Sequence, residues 1–202
     1  MASFCGSTEC LDRLSFLPAT TGKFRRYEQL GLRVRSFLNL GIHDRLDPLK
    51  LAKMVRLIVI TVKDVVGLSE DVKQVLGSSS QAWSGGATPE LPDGSRIVIL
   101  NPMQSQGRQA ATLMEEVCHS LLGHKHSQIT LNPDSGENHR DYNDSIEEEA
   151  YAVGAAALIP YRALACDLSR GLAIESIANY YGVTRSLVKY RIRVLHLTGY
   201  CV

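Results

Sequence analysis

The sequence predicts an α+β fold, in which a small β-sheet packs on helices and a helix-turn-helix-like segment follows at the carboxyl end. Two runs rich in β-branched residues, at 57–62 and 95–101, are typical of buried strands. Between residues 108 and 124, apolar side chains recur at steps of three and four, which indicates an amphipathic helix with one face in a core.

Composition excludes some classes of function. The 202 residues can bury a substantial core, and a hydrophobic share of 45% with 21% charged residues is ordinary for a globular protein. The 22 basic and 21 acidic residues give a net charge of +1, so nucleic-acid binding would have to come from a local patch.

The cysteines and apolar runs predict a cytoplasmic protein without a membrane partner. The five cysteines are scattered and form no C-x-x-C pair, which argues against a disulfide framework and a structural zinc cluster. The apolar runs are too short to cross a bilayer, and the first residues lack the features of a signal peptide.

Local signals place the elements before the central helix. Residues 1–24 are rich in Ser, Thr and Gly without a period, so we expect a flexible tail. Asp47 before Pro48 is typical of a helix start, and Ser69 is expected to cap another short helix. The turn residues 92–94 predict a hairpin of 81–88 with 95–101. An exposed strand edge there could hold an extended peptide, and an ordinary sheet edge is the alternative.

The central helix carries the sequence E-E-x-x-H. Glu115 and His119 are four residues apart and share one face, and Glu116 lies about 100° round the helix. In the zincin pattern H-E-x-x-H, positions i and i+4 hold a metal and the intervening Glu moves protons. Alone, the pattern is a weak signal and more often marks a charged edge on a core helix.

An Ala-rich helix is predicted at 145–159. Glu149 falls on its apolar stripe, whereas Glu147 and Glu148 fall on more solvated faces. A buried carboxylate needs a partner, and a metal ion shared with His119 would be one.

The remaining histidines and the last segment leave alternatives open. His124 would lie on the wrong face if the central helix continued, and His126 and His139 lie in predicted loops, so surface or outer roles compete with ligation. Two short helices around Gly182 follow a helix-turn-helix pattern, which serves DNA binding or plain packing. The candidate DNA-binding residues are Arg185, Lys189, Arg191 and Arg193.

Together these stretches resemble the ImmA/IrrE-type metallopeptidases, cytoplasmic relatives of the zincins that cleave helix-turn-helix repressors. The resemblance rests on the Asn101-Pro102 strand end, Arg108, T-L-M-E-E-V-C-H at 112–119 and E-A-Y-A-V-G-A-A-A-L-I-P at 149–160. W-S-G at Trp83 and the terminal G-V-T-R-S-L-V-K-Y-R-I-R-V-L add to it, and the likeness covers about residues 25–197.

The resemblance implies a zincin-like metallopeptidase domain at 25–160, followed by the helix-turn-helix-like segment at 161–202. It makes Glu116 the general base that activates a metal-bound water. The implied metal ligands are Glu115, His119 and Glu149, with Glu115 standing where the family has its first His.

The substitution by Glu115 leaves two functions in competition. Carboxylates also bind zinc, so zinc is the expected metal. A second carboxylate ligand raises the pKa of bound water and favours harder ions, which makes manganese the alternative. The first function is a metal-dependent endopeptidase acting on a repressor-like protein partner. The rival is a non-catalytic regulator that binds a protein partner or DNA.

Overall fold

The computed structural model describes residues 18, 22–79, 83–124, 129–131, 138–140 and 143–200. The helices in these ranges are α1 (Lys23–Ser36), α2 (Pro48–Met54), α3 (Glu70–Gly77), α4 (Gln106–Leu121), α5 (Asp144–Leu158), α6 (Tyr161–Ser169), α7 (Ile174–Tyr181) and α8 (Arg185–Val194). The strands are β1 (Leu57–Thr61), β2 (Gly85–Ala87), β3 (Arg96–Leu100), β4 (Ile129–Leu131) and β5 (Asn138–Arg140). The predicted α+β class is confirmed. The predicted tail at 1–24 lies mostly outside the described residues.

A three-stranded sheet with the order β1-β3-β2 lies beside the central helix α4. β1 pairs with β3 in parallel, and β2 pairs with β3 in antiparallel register from Gly85 opposite Leu100. The predicted hairpin is confirmed. β3, the strand just before α4, is paired on both sides and therefore has no free edge. The edge strand that follows it in the sheet order is β2. A separate antiparallel pair joins β4 and β5, so His139 lies in a strand and not in the predicted loop.

Side-chain caps set several helix starts. The Asp47 carboxylate accepts a hydrogen bond from the Leu49 amide at 3.0 Å, as its position before proline predicts. Ser69 caps α3 in the expected way. Ser105 caps α4 through the Arg108 amide, so the central helix begins two residues before the predicted start.

Small residues bring three helices close together. A Cβ on Gly31 of α1 would lie 2.7 Å from the Cβ of Ala156 in α5. A Cβ on Gly154 of α5 would lie 3.3 Å from Cγ of Met114 in α4. The predicted Ala-rich helix is therefore confirmed as α5, and it is held between α1 and α4.

The C-terminal helices share the buried core with the rest of the described chain. Leu187, Val188 and Ile192 of α8 belong to the same hydrophobic cluster as the residues of α4 and α5. The buried Glu28 of α1 accepts hydrogen bonds from Arg191 and from the Tyr161 amide. These hydrogen bonds link α1 to α6 and α8. Among the described residues, no helix is both long and apolar enough to cross a membrane.

Candidate metal centre

The last two turns of α4 carry the acidic motif. His119 is only 5% exposed, and its neighbours Val117 and Cys118 are fully buried. Glu115 and Glu116 are half-buried. The apolar face of α4 therefore anchors the helix in the core, and the motif residues lie where that face meets the surface.

The first turn of α5 brings an acid against this motif. Glu115, His119 and Glu147 each offer one ligand atom, and these atoms all lie within 4.8 Å of one another. Nε2 of His119 is 3.3 Å from Oε2 of Glu147. The expectation that Glu147 is more solvated than Glu149 is wrong, because their side chains are 20% and 18% exposed. The end of α4 covers the first turn of α5.

Glu149, the implied third ligand, is separated from His119 by the imidazole of His124. Its Oε2 is 3.2 Å from Nε2 of His124, and its Oε1 forms an ion pair with Arg26 at 3.0 Å. Nδ1 of His124 is in turn 3.2 Å from Nδ1 of His119. All three implied ligands are thus in one neighbourhood, but the acid in direct contact with His119 is Glu147. Ligation by Glu149 stays a prediction.

His124 reaches the site because α4 stops. Gly123 adopts a positive φ of 69°, which favours glycine, and the amide of His124 donates to the His119 carbonyl at 3.0 Å. The amide of Gly123 donates to the Ser120 carbonyl at 3.3 Å, which completes a Schellman motif. The helical-face argument that set His124 aside does not apply, because the helix does not continue. Gly123 was the sequence signal that α4 ends here, because glycine commonly follows the last residue of a helix.

The local charges favour a cation. Burial, followed by the negative charges of Glu116 and Glu147, raises the pKa of Glu115 to about 7, and Arg108 opposes this rise. Burial also raises the pKa of the Cys118 thiol, so this side chain stays protonated and is a poor ligand. Two carboxylate oxygens and one imidazole nitrogen are donors that suit a divalent ion, and a positive charge would relieve the repulsion among the acids.

A family model described as the IrrE N-terminal-like domain, of the peptidase M78 family, matches residues 62–193. This range covers about two thirds of the chain and contains β3, α4 and α5. The chain belongs to this family. The resemblance found in the sequence is therefore confirmed, and membership places the protein among metal-dependent peptidases. No curated protein matches the chain.

Not every candidate of this M78 family member lies where the sequence suggested. Arg185, Lys189 and Arg193 are exposed on α8. Arg191 is 2% exposed and pairs with Glu28, so its prediction as a DNA-binding residue is wrong. It falls on the same helical stripe as Val188 and Ile192, which turns it into the core.

Other sequence candidates lie outside the described part of the chain. His126 is among these residues, and of His139 only the backbone, in β5, is described. A cavity of about 670 Å³ between α2, β1 and the α7–α8 turn has Leu46, Val59 and Leu113 among its lining. None of the motif acids or histidines is among the described residues that line it.

Proposed function

We propose that the protein is a metal-dependent endopeptidase whose cation is held by Glu115, His119 and an acid of α5. The observation that carries this proposal is the cluster of Glu115, His119 and Glu147, whose ligand atoms lie within 4.8 Å of one another in a member of a metal-dependent peptidase family. Three protein donors leave a position open for substrate chemistry, as catalytic sites require.

Each group has a defined task in this proposal. A cation held there would polarise a water molecule and the carbonyl of a bound peptide. Glu116, next to Glu115 on α4, takes a proton from the attacking water as general base and passes it to the leaving amine. Glu115 must be ionised to ligate, so cation binding competes with its protonation near pH 7. We propose zinc as the metal, with manganese as the alternative that the second carboxylate favours.

The sheet supports the positioning of an extended peptide. A Cβ on Gly85 of the edge strand β2 would lie 2.8 Å from Cγ2 of Thr112, so β2 packs on α4 one turn before the motif. In the described chain, the outer edge of β2 has no partner strand. A substrate segment can add there by main-chain hydrogen bonds. By the family resemblance, we propose that the substrate is a helix-turn-helix repressor, cleaved in the cytoplasm.

A non-catalytic regulator is the second candidate. The carboxylate of Glu115 in place of the first His favours it, as do the exposed basic side chains of α8, Arg185, Lys189 and Arg193. In this case the fold would bind a protein partner, or it would bind DNA through α8 in a salt-dependent manner.

The experiment compares metal content and cleavage in the full chain. The purified protein is analysed for bound zinc and manganese, then incubated with a helix-turn-helix repressor of the same organism, and products are identified by mass spectrometry. We expect cleavage that EDTA stops and that E116Q slows by about 100-fold or more. E148Q is the matched control and should cleave like the wild type.

Two results would decide against the peptidase. A wild-type protein that retains no metal, cuts nothing and behaves like E116Q would overturn the proposal. If E115H gains proteolysis that the natural chain lacks, the natural protein is a regulator. Gel shifts that disappear with R185A and K189A would then identify DNA as its partner.

A further inference from the structure

We infer that His124 and Glu149 form a positioning pair that orients the imidazole of His119, and that Glu147 is the α5 ligand. This inference rests on the proposed metal site and assigns its outer contacts. It gives Glu149 a role different from the one its place in the sequence pattern implies.

The contacts form a continuous chain of four side chains. Glu149 Oε2 meets His124 Nε2 at 3.2 Å, His124 Nδ1 meets His119 Nδ1 at 3.2 Å, and His119 Nε2 meets Glu147 Oε2 at 3.3 Å. The two imidazoles are only 7% and 9% exposed, so water has little access to their nitrogens. Both nitrogens of each ring therefore contact another of these four side chains.

Counting hydrogens shows that one link of this chain needs a cation. Three contacts join two carboxylates and two imidazoles, and each neutral imidazole carries one N–H. Two hydrogens can bridge two contacts, so the third contact would place a nitrogen lone pair against a carboxylate oxygen. A proton or a metal ion must occupy that third contact.

The surrounding charges decide which contact takes the metal. Arg26 lies 3.0 Å from Glu149, so a positive charge already stands at that end and would repel a second cation. Glu115 lies at the opposite end, where its ligand atom is within 4.8 Å of those of His119 and Glu147. The metal therefore belongs between His119 and Glu147, and Glu149 keeps its partner Arg26.

This placement fixes the hydrogens of both rings. With Nε2 of His119 free to ligate, its Nδ1–H donates to Nδ1 of His124, and Nε2–H of His124 donates to Glu149. Such carboxylate contacts set the tautomer and ring orientation of metal-binding histidines, and their loss weakens metal affinity by about 10–100-fold. The His119 ring cannot turn without breaking this chain.

Three consecutive acids on α5 provide a matched test. We measure zinc affinity of the full chain with E147Q, E148Q and E149Q, after confirming by thermal unfolding that each folds without metal. E148Q changes an exposed acid that pairs with Lys23, and it should bind zinc like the wild type. E149Q should weaken binding by about 10–100-fold, and E147Q should abolish stoichiometric binding. The reverse order for E147Q and E149Q would overturn the inference.

A second readout does not depend on activity. Nitrogen NMR of the histidines in zinc-loaded protein at pH 8 should show a proton on Nδ1 of His119, whose Nε2 would hold the metal, and on Nε2 of His124. Replacing His124 by Phe should remove the preference at His119, and His124→Gln should restore part of it. An unprotonated Nδ1 on His119 overturns the inference even if E147Q fails to fold. A wild-type protein that binds zinc and shows these tautomers but cleaves no peptide would instead refute the proposed function and leave the pair intact.

Discussion

The acid Glu115 imposes a charge penalty on the metal-free protein. Burial and the neighbouring acids raise its pKa from an ordinary 4.5 to about 7. At about 1.4 kcal/mol per pH unit, ionising it costs the fold up to about 3 kcal/mol. Because the folded-state pKa lies above the unfolded one, the cost is small below pH 4.5, grows as pH rises, and is complete above about pH 7.

Replacing Glu115 by Gln removes this ionisation. We expect metal-free E115Q to be more stable than the wild type by up to about 3 kcal/mol at pH 8 and by under about 1 kcal/mol at pH 5. Saturating zinc should reverse the order at pH 8, because a cation stabilises the folded wild type and the variant has lost a ligand. Urea unfolding with EDTA, or with zinc, at both pH values measures these differences.

The control is E148Q, which changes an exposed acid on the neighbouring helix. It should stay within about 0.5 kcal/mol of the wild type at both pH values. The reasoning fails if E115Q gains the same stability at pH 5 and pH 8, or if it loses stability at pH 8.

Three further changes test the core around the site by urea unfolding. R191M should lose about 3–5 kcal/mol because it leaves the buried Glu28 without its ion-pair partner, and the double variant with E28L should lose less than R191M alone. D167N should be more stable than the wild type at pH 8 but not at pH 4, because burial raises the pKa of Asp167 from 3.8 to about 6; a pH-independent effect would contradict this. G31A should lose about 1–3 kcal/mol because its Cβ would meet Ala156, and a gain in stability would show that the helices can move apart.

Much of the fold follows from local signals in the sequence. The β-branched runs became β1 and β3, the 92–94 turn produced the hairpin, and Asp47 capped its helix as expected. These features depend on neighbours along the chain. The order of the strands depends on distant pairing, and for that reason the position of β3 in the middle of the sheet could not be predicted.

The E-E-x-x-H motif was predictable from the sequence, but the α5 acid that contacts His119 was not. A helical stripe correctly turns Glu149 away from solvent, yet Glu147 is equally covered because the end of α4 lies over the first turn of α5. Arg191 shows the same limit. Its spacing matched the core stripe, but its charge suggested a surface position. Arg191 is buried because Glu28, 163 residues away in sequence, pairs with it.

The contact of Gly154 with Met114 has a consequence for how this site can change. His119 stands on α4 and Glu147 on α5, and the spacing of these helices is set at a point about two helical turns from Glu147. A side chain larger than Ala at 154 should push the two helices apart and draw Glu147 away from His119. Metal affinity can therefore be lost through steric bulk at a position that touches neither ion nor substrate.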